Sequence, residues 1–565
     1  MNFYRKLFIS IVAVTLCFTS LSAEKKSHQK KVVSDENLLE MSLDDVADEN
    51  QFKIFKVTFT SSGKTKEQFL VNNISHINYS IVFKNKAELK DYAEAINQEL
   101  VNQRLFENIK YTEKVVKIED GIYFVEIDYT FDDSQSILAL PKFGYDSNSG
   151  ANLKVKLKDT NFLGMMNEMG IDINIQLGTT DYPQDFSLVT TGINFNYDLP
   201  FKIGNTTDTW SNDLSFSWLI GDTNPEYSYV TGLTFSFPFG EHAVNFSATQ
   251  SIIRENDYRD WDDAIYFVEN LCLSVPLTIG HIGNLTQIKY TPSLTFTWNW
   301  DYNGINSDNY NLTDTPLLKA GEVFSTSKID WEEKYNFRKG FYYSAGQYVG
   351  WNFSETEFNE AITPYLDFTG EFFTNYKWIG FNSRLYVFAG YNTTVNVGSY
   401  LRGSADNQEF TTNTKGFSNN KALTSPQVIV LNLEFPIHII TTSWEQWGIN
   451  IFGEYDNRPK FGKVVSYIPH KLAPYLDFEL QINPFIDIGI LTNRQTDEIL
   501  SLKQGIYDAG FEVLVFPKKW SSYVVRLSAG FDVGKYISEH YGVLDSSWRN
   551  QSKYYEISFG LGKHF

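Results

Sequence analysis

From about Ile137 to Phe565 the chain alternates apolar and polar residues with a period of two, the repeat of a β-strand with two different faces. In "DLSFSWLI", Leu214, Phe216, Trp218 and Ile220 share one face, and Asp213, Ser215 and Ser217 the other. "TGLTFSFPFG" repeats the pattern with Leu233, Phe235, Phe237 and Phe239. "SLTFTWNW" does so with Leu294, Phe296, Trp298 and Trp300. Small hydroxyl side chains on the second face would pack a sandwich core poorly, but they suit the wet lumen of a barrel whose outer face meets lipid. No segment after the N-terminus has 18 or more consecutive apolar residues, so any membrane crossing is expected from strands. Sixteen to nineteen strand candidates separated by turns and long polar loops predict an all-β transmembrane antiparallel β-barrel over residues 137–565, most simply of 16 strands.

The texture before residue 137 is different. "FKIFKVTFT" alternates like a strand and ends at the turn Ser61-Ser62-Gly63, and "KEQFLVNNI" is a short helix candidate. Leu89, Tyr92, Ala93, Ile96 and Leu100 form one helical stripe, which predicts a helix from Lys86 to about Asn102. Two alternating strands follow, so residues 51–133 are expected to be a small two-layer α+β domain. Residues 24–50 are charged and polar and read as a flexible linker. Residues 1–23 carry a basic start (Arg5, Lys6), an apolar run and a small-residue cleavage zone, which read as a secretory signal peptide. Lipidation at Cys17 is disfavoured by the bulk of Leu16 before it. Removal of the signal peptide leaves Cys272 alone, with no intrachain disulfide.

Composition narrows the function classes. The 565 residues carry 48 Lys and Arg against 68 Asp and Glu, a net charge of -20, with no basic stripe, so nucleic acid is not an expected partner. Aromatic residues are abundant (Phe 45, Tyr 34, Trp 12), as the outer face of a barrel requires. The eight histidines are scattered, and no zinc-protease, nucleophile-elbow or cysteine-pair motif is present. Neither enzymatic activity, nor a metal, nor a cofactor is expected.

Several stretches resemble known modules. "FKVTFTSSGKTKEQFLVNNI", "ELKDYAEAINQELVNQRLFENIKYTEKV" and "GIYFVEIDYTF" together resemble a POTRA domain, with Gly63 in its turn and Arg104-Leu105-Phe106 after its second helix. In "YYEISFGLGKHF", Tyr555, Ile557, Phe559, Leu561 and Phe565 alternate with Glu556, Ser558, Gly560, Gly562 and His564. This resembles the closing strand, or β-signal, of bacterial outer-membrane barrels. The order of the remaining features is similar to the surface-antigen barrel superfamily that includes BamA and TamA. Arg402-Gly403 in "SYLRGSADNQEF" matches that family's loop motif, Glu434 its acidic strand position, and Phe485-Asp487-Gly489 its Phe-x-Asp-x-Gly motif. Asn161-Phe162-Leu163-Gly164 resembles an element of the family's first strands.

The chain departs from the family in three places. Ser404 stands where an aromatic is usual, a single POTRA-like domain precedes the barrel, and a strand-like segment, "WGINIFGEYDN", makes Glu454 a rival of Asp487. The resemblance implies a loop latch inside the barrel and a seam between its first and last strands, weakened by Gly560 and Gly562. It further implies an outer-membrane assembly factor. The POTRA-like domain would lie in the periplasm and bind unfolded client strands, which would then be inserted at the seam. Partners would be the lipid bilayer, protein clients and periplasmic accessory proteins. The alternatives are a translocation pore for one secreted partner and a passive channel.

Overall fold

A computed structural model describes residues 41–74, 77–146, 150–178, 185–240, 242–254, 265–282, 286–301, 316–404, 424–461, 463, 470–472, 475–493, 498–547 and 554–565. The signal peptide, most of the predicted linker, and Ala405 to Phe410 of the Arg-Gly loop lie outside the described residues.

The period-two region closes into an antiparallel barrel of twenty strand segments, running from Ile137–Asp146 to Tyr555–Leu561. Ile265–Ser274 and Leu277–Ile282 both pair with Thr286–Asp301, so they are halves of one strand broken around Pro276. Gln427–Glu434 and Ile437–Thr441 likewise share Phe478–Leu491 and are broken around Pro436. Proline has no N–H to donate to a ladder, which explains both interruptions. Merging the two broken pairs leaves eighteen wall strands among the described residues, two more than the sixteen expected.

The outer face is apolar as the pattern requires, with Leu214, Trp218, Ile220, Phe237, Phe239, Leu294 and Trp298 all exposed. On the last wall strands the inward face is buried and polar instead. Glu479, Gln481, Asn483 and Asp487 alternate with the half-buried or exposed Leu480, Ile482 and Ile486.

Among the described residues, two nine-residue segments of the barrel region are helical where only strands were expected. Trp444–Phe452 is a helix ending at Gly453, whose φ of 73° lets its N–H reach the Ile449 carbonyl. Val533–Tyr541 is a helix capped by the Asp532 carboxylate, which accepts from the Lys535 N–H, and it ends at Gly542 (φ 64°). Windows of nine residues are too short for periodicity to separate the two states. Trp444, Trp447 and Ile451 fit a helical stripe as well as Trp447, Ile449 and Ile451 fit a strand. None of the described helices is long and apolar enough to cross a membrane.

The N-terminal residues form a five-stranded sheet in the order Met41–Ser42, Phe106–Glu119, Ile122–Asp133, Gln51–Ser61, Val82–Phe83, with helices at Glu67–Asn73 and Lys86–Gln103. The stripe Leu89, Tyr92, Ala93, Ile96 and Leu100 is buried throughout. The turn at Gly63 leaves no room for a side chain, since a Cβ there would lie 2.3 Å from Asp133 Cγ. The Asp133 carboxylate accepts from the backbone N–H groups of Lys64 and Thr65. Packing divides the chain into two compact units. One holds Tyr79–Leu89, Glu113–Ile127 and the described residues up to Lys56, the other Val57–Asn78, Lys90–Thr112 and Asp128–Phe565.

Candidate functional site: a buried latch in the barrel lumen

Strand register builds the site. Pairing places Asn432 opposite Asp487, Asp487 opposite Asp508, and Asp508 opposite Asp532. The next inward row, two residues along each strand, is Glu434, Phe485, Gly510 and Gly530. Period-two alternation turns both rows to the lumen. The wall therefore offers a row rich in carboxylates beside a row whose last two positions carry no side chain.

The Arg-Gly loop lies on this grid. Its approach is apolar: Val397 and Leu401 are fully buried against Tyr386, Phe388, Val428, Val430, Leu491 and Ile506. Gly489 leaves room for Leu401, since a Cβ at Gly489 would stand 3.1 Å from a Leu401 methyl. Arg402, 7% exposed, then enters the acidic rows. Its Nε and Nη2 donate to the two Asp487 oxygens at 2.9 and 2.7 Å, the bidentate fork that suits a guanidinium to a carboxylate. Its Nη1 donates to Glu434 at 2.8 Å and lies 3.3 Å from Glu512. Its Cζ sits 3.6 Å from the centre of the Phe485 ring, a cation–π contact in a site shielded from water.

The loop backbone is held as well. The Arg402 N–H donates to Asp487 at 3.0 Å and the Gly403 N–H to Asp508 at 2.9 Å. Close approach is possible because the wall glycines are bare. A Cβ on Gly530 would lie 2.3 Å from the Arg402 carbonyl oxygen, and one on Gly403 would lie 2.9 Å from backbone at Phe531. Neighbouring polar groups complete the network. Asn432 Nδ2 donates to Asp487 at 2.7 Å, Asn382 to Glu434 at 3.0 Å, and Asn483 to Glu512 at 2.8 Å.

Arg402, Gly403, Glu434, Asp487 and Gly489 thus come together. Glu454 does not. It is exposed after the Trp444–Phe452 helix and accepts from Asn457 at 2.9 Å, so its rivalry with Asp487 ends with the helical state of that segment. Asp508 and Glu512 complete the latch, and neither is among the latch residues expected from the sequence. Ser404, the departure from the family pattern, is fully buried, and its hydroxyl donates to Asp508 at 2.6 Å. Charge reversal at Asp487 or Glu434 is expected to free the loop, read as faster amide exchange at Arg402 and Gly403. Glu454→Lys is expected to leave that exchange unchanged.

At the seam, Tyr555 and Ile557 are exposed. The side chains of Phe559, Gly560 and Leu561 lie outside the described residues, but their backbone pairs with Leu527, Arg526 and Val525. Phe565 departs from the expected outer face. The strand ends at Leu561, and Gly562, with φ 89°, turns the chain out of the wall. Phe565 instead lies beside the buried Arg338 and Arg384. The positive φ of Gly562 breaks the alternation that the sequence extrapolated through it.

No protein-family model matches the chain, and no characterised protein matches it in sequence. Solved structures do. BamA from Haemophilus ducreyi lacking POTRA domains 1-3 matches at 11% identity over 90% of this chain and 85% of that one, with a TM-score of 0.35. CdiB from Acinetobacter baumannii matches at 11% identity over 90% and 73%, with a TM-score of 0.41. CdiB from Escherichia coli matches at 7% over 95% and 92%, with a TM-score of 0.39. BamA, which the sequence resemblance named, is among the neighbours. The barrel assignment itself rests on the closed strand order of this chain.

Proposed function

We propose that the protein inserts and folds other β-barrel proteins in the outer membrane of a bacterium, opening between its first and last strands to template client strands. The observation that carries this reading is the seam. Tyr555–Leu561, at seven residues, is the shortest uninterrupted wall strand among the described residues, whereas Arg338–Asn352 has fifteen. In lipid an unpaired backbone group costs several kcal/mol, so a barrel that must open does so where fewest hydrogen bonds break. The latch braces the four strands that precede the last one, which confines opening to this edge.

The small sheet supports client capture in the periplasm in the manner of a POTRA domain. Among the described residues, Gln51–Ser61 meets only a two-residue strand on its outer side, through Phe52 with Phe83 and Lys53 with Val82. The rest of that edge suits the addition of an extended client strand.

Depleting the protein and quantifying outer-membrane proteins tests this function. A broad fall in barrel proteins is expected. Loss of one exported protein alone identifies a translocation pore instead, and a normal protein profile with altered solute permeability identifies a passive channel. Either outcome overturns the proposal.

A further inference from the structure

Beyond Gly562, the last three of the four residues after the closing strand are bound inside the barrel. Lys563 Nζ donates to the Asn336 carbonyl at 3.3 Å and lies 4.7 Å from the centre of the Trp331 ring. Arg338 donates to the Phe565 carbonyl oxygen while its guanidinium stacks 4.0 Å from the Phe373 ring. The Phe373 and Phe565 rings are themselves 6.3 Å apart. Arg384 completes the clamp, with its Cζ 4.5 Å from the Phe565 ring and its Nη2 3.2 Å from His564 Nε2.

Arg384 also belongs to the latch. Its Cζ also lies 4.4 Å from the centre of the Tyr400 ring, and its Nε and Nη2 donate to Asn432 Oδ1 at 3.0 and 2.9 Å. Asn432 Nδ2 donates to the Tyr400 carbonyl at 2.6 Å as well as to Asp487. A continuous path of buried contacts therefore runs from Phe565 through Arg384, Asn432 and Asp487 to Arg402.

We propose that Lys563–Phe565 is a lumenal tether on the closing strand, and that Arg384 joins it to the Arg402 loop, so that the strand can leave the wall only after the tether has withdrawn. Chain length dictates the order of events. The four residues from the strand's end at Leu561 to Phe565 reach at most about 14 Å, so the end of the strand cannot lie further than that from the clamp while Phe565 stays held. The wall pairing of Tyr555–Leu561 is short, so the clamp adds its hold where the ladder is weakest. Loosening the loop weakens Arg384's position and with it the clamp, which gives the latch a way to act on the seam. The inference deepens the insertion reading and rests on it for its purpose, although the tether is tested without any client.

Hydrogen exchange of the Tyr555–Leu561 amides in lipid vesicles reads the seam. Phe565→Ala, which removes only the tether's ring, is expected to raise that exchange at least tenfold in a barrel that keeps its heat-modifiable gel mobility. In the Cys272→Ser background, the oxidised pair Phe373→Cys and Phe565→Cys is expected to slow it below wild type, and reduction to reverse the change. Unchanged exchange in the Phe565→Ala barrel, or equal exchange in the oxidised and reduced pair, overturns the tether. Should the tether behave as expected while no client inserts, the insertion reading alone fails.

Discussion

Arg402→Ala is expected to release the loop from the lumen and abolish most client insertion while leaving the barrel folded. The wild-type guanidinium is surrounded by the Glu434, Asp487 and Glu512 carboxylates, all buried. Removing one partner of a buried charge cluster costs about 3–5 kcal/mol, because the remaining charges stay desolvated without compensation. That corresponds to about a hundredfold or more in the closing equilibrium of the loop. The wall should survive, since its ladder hydrogen bonds do not involve this side chain. Amide exchange at residues 402 and 403 measures the release, and heat-modifiable gel mobility reports the intact barrel. Conservative replacement by Lys should rescue only in part, because an ammonium cannot make the two-pronged bond to Asp487.

Gly530→Ala should produce the same released loop without altering a single charge. Its added methyl would sit 2.3 Å from the Arg402 carbonyl oxygen and 2.7 Å from the Gly403 Cα, both backbone positions that no rotamer change can relieve. Overpacking of this kind costs about 1–3 kcal/mol, and here the loop is the part able to yield. Amide exchange at Arg402 and Gly403 should rise by about tenfold or more, with Glu434, Asp487 and Asp508 all still present. A control at Gly121, where the same Cβ meets nothing within 4 Å, should leave the loop untouched. Failure of Gly530→Ala to accelerate exchange would mean that the loop does not rest on this strand.

Much of the latch was legible in the sequence because two independent signals coincided. The order Arg402-Gly403, Glu434, Phe485-Asp487-Gly489 matched a family pattern, and all of these residues lie in the region whose period-two alternation predicts strands with two different faces. Asp508 was not legible. Its role depends on cross-strand register, which places it opposite Asp487, and register is fixed by pairing rather than by local pattern. The use of Ser404 was hidden for the same reason, since its hydroxyl meets a strand 104 residues away. Glu454 looked like a rival because nine apolar-rich residues satisfy both periods, and only the structure shows the segment as a helix that stops at Gly453. The inward turn of Phe565 depends on a single backbone angle at Gly562. Two more wall strands than expected came from a region of similar short alternating runs, where nothing in the pattern marks which runs share a strand.

The most direct measurement is client folding by purified protein in vesicles of outer-membrane lipid, followed by heat-modifiable gel mobility of an unfolded barrel client. Wild-type protein is predicted to accelerate folding well above the lipid-only rate, and the Arg402→Ala barrel to return it to near that rate. Equal acceleration by both proteins, with the loop shown by exchange to be released in the variant, would contradict the account.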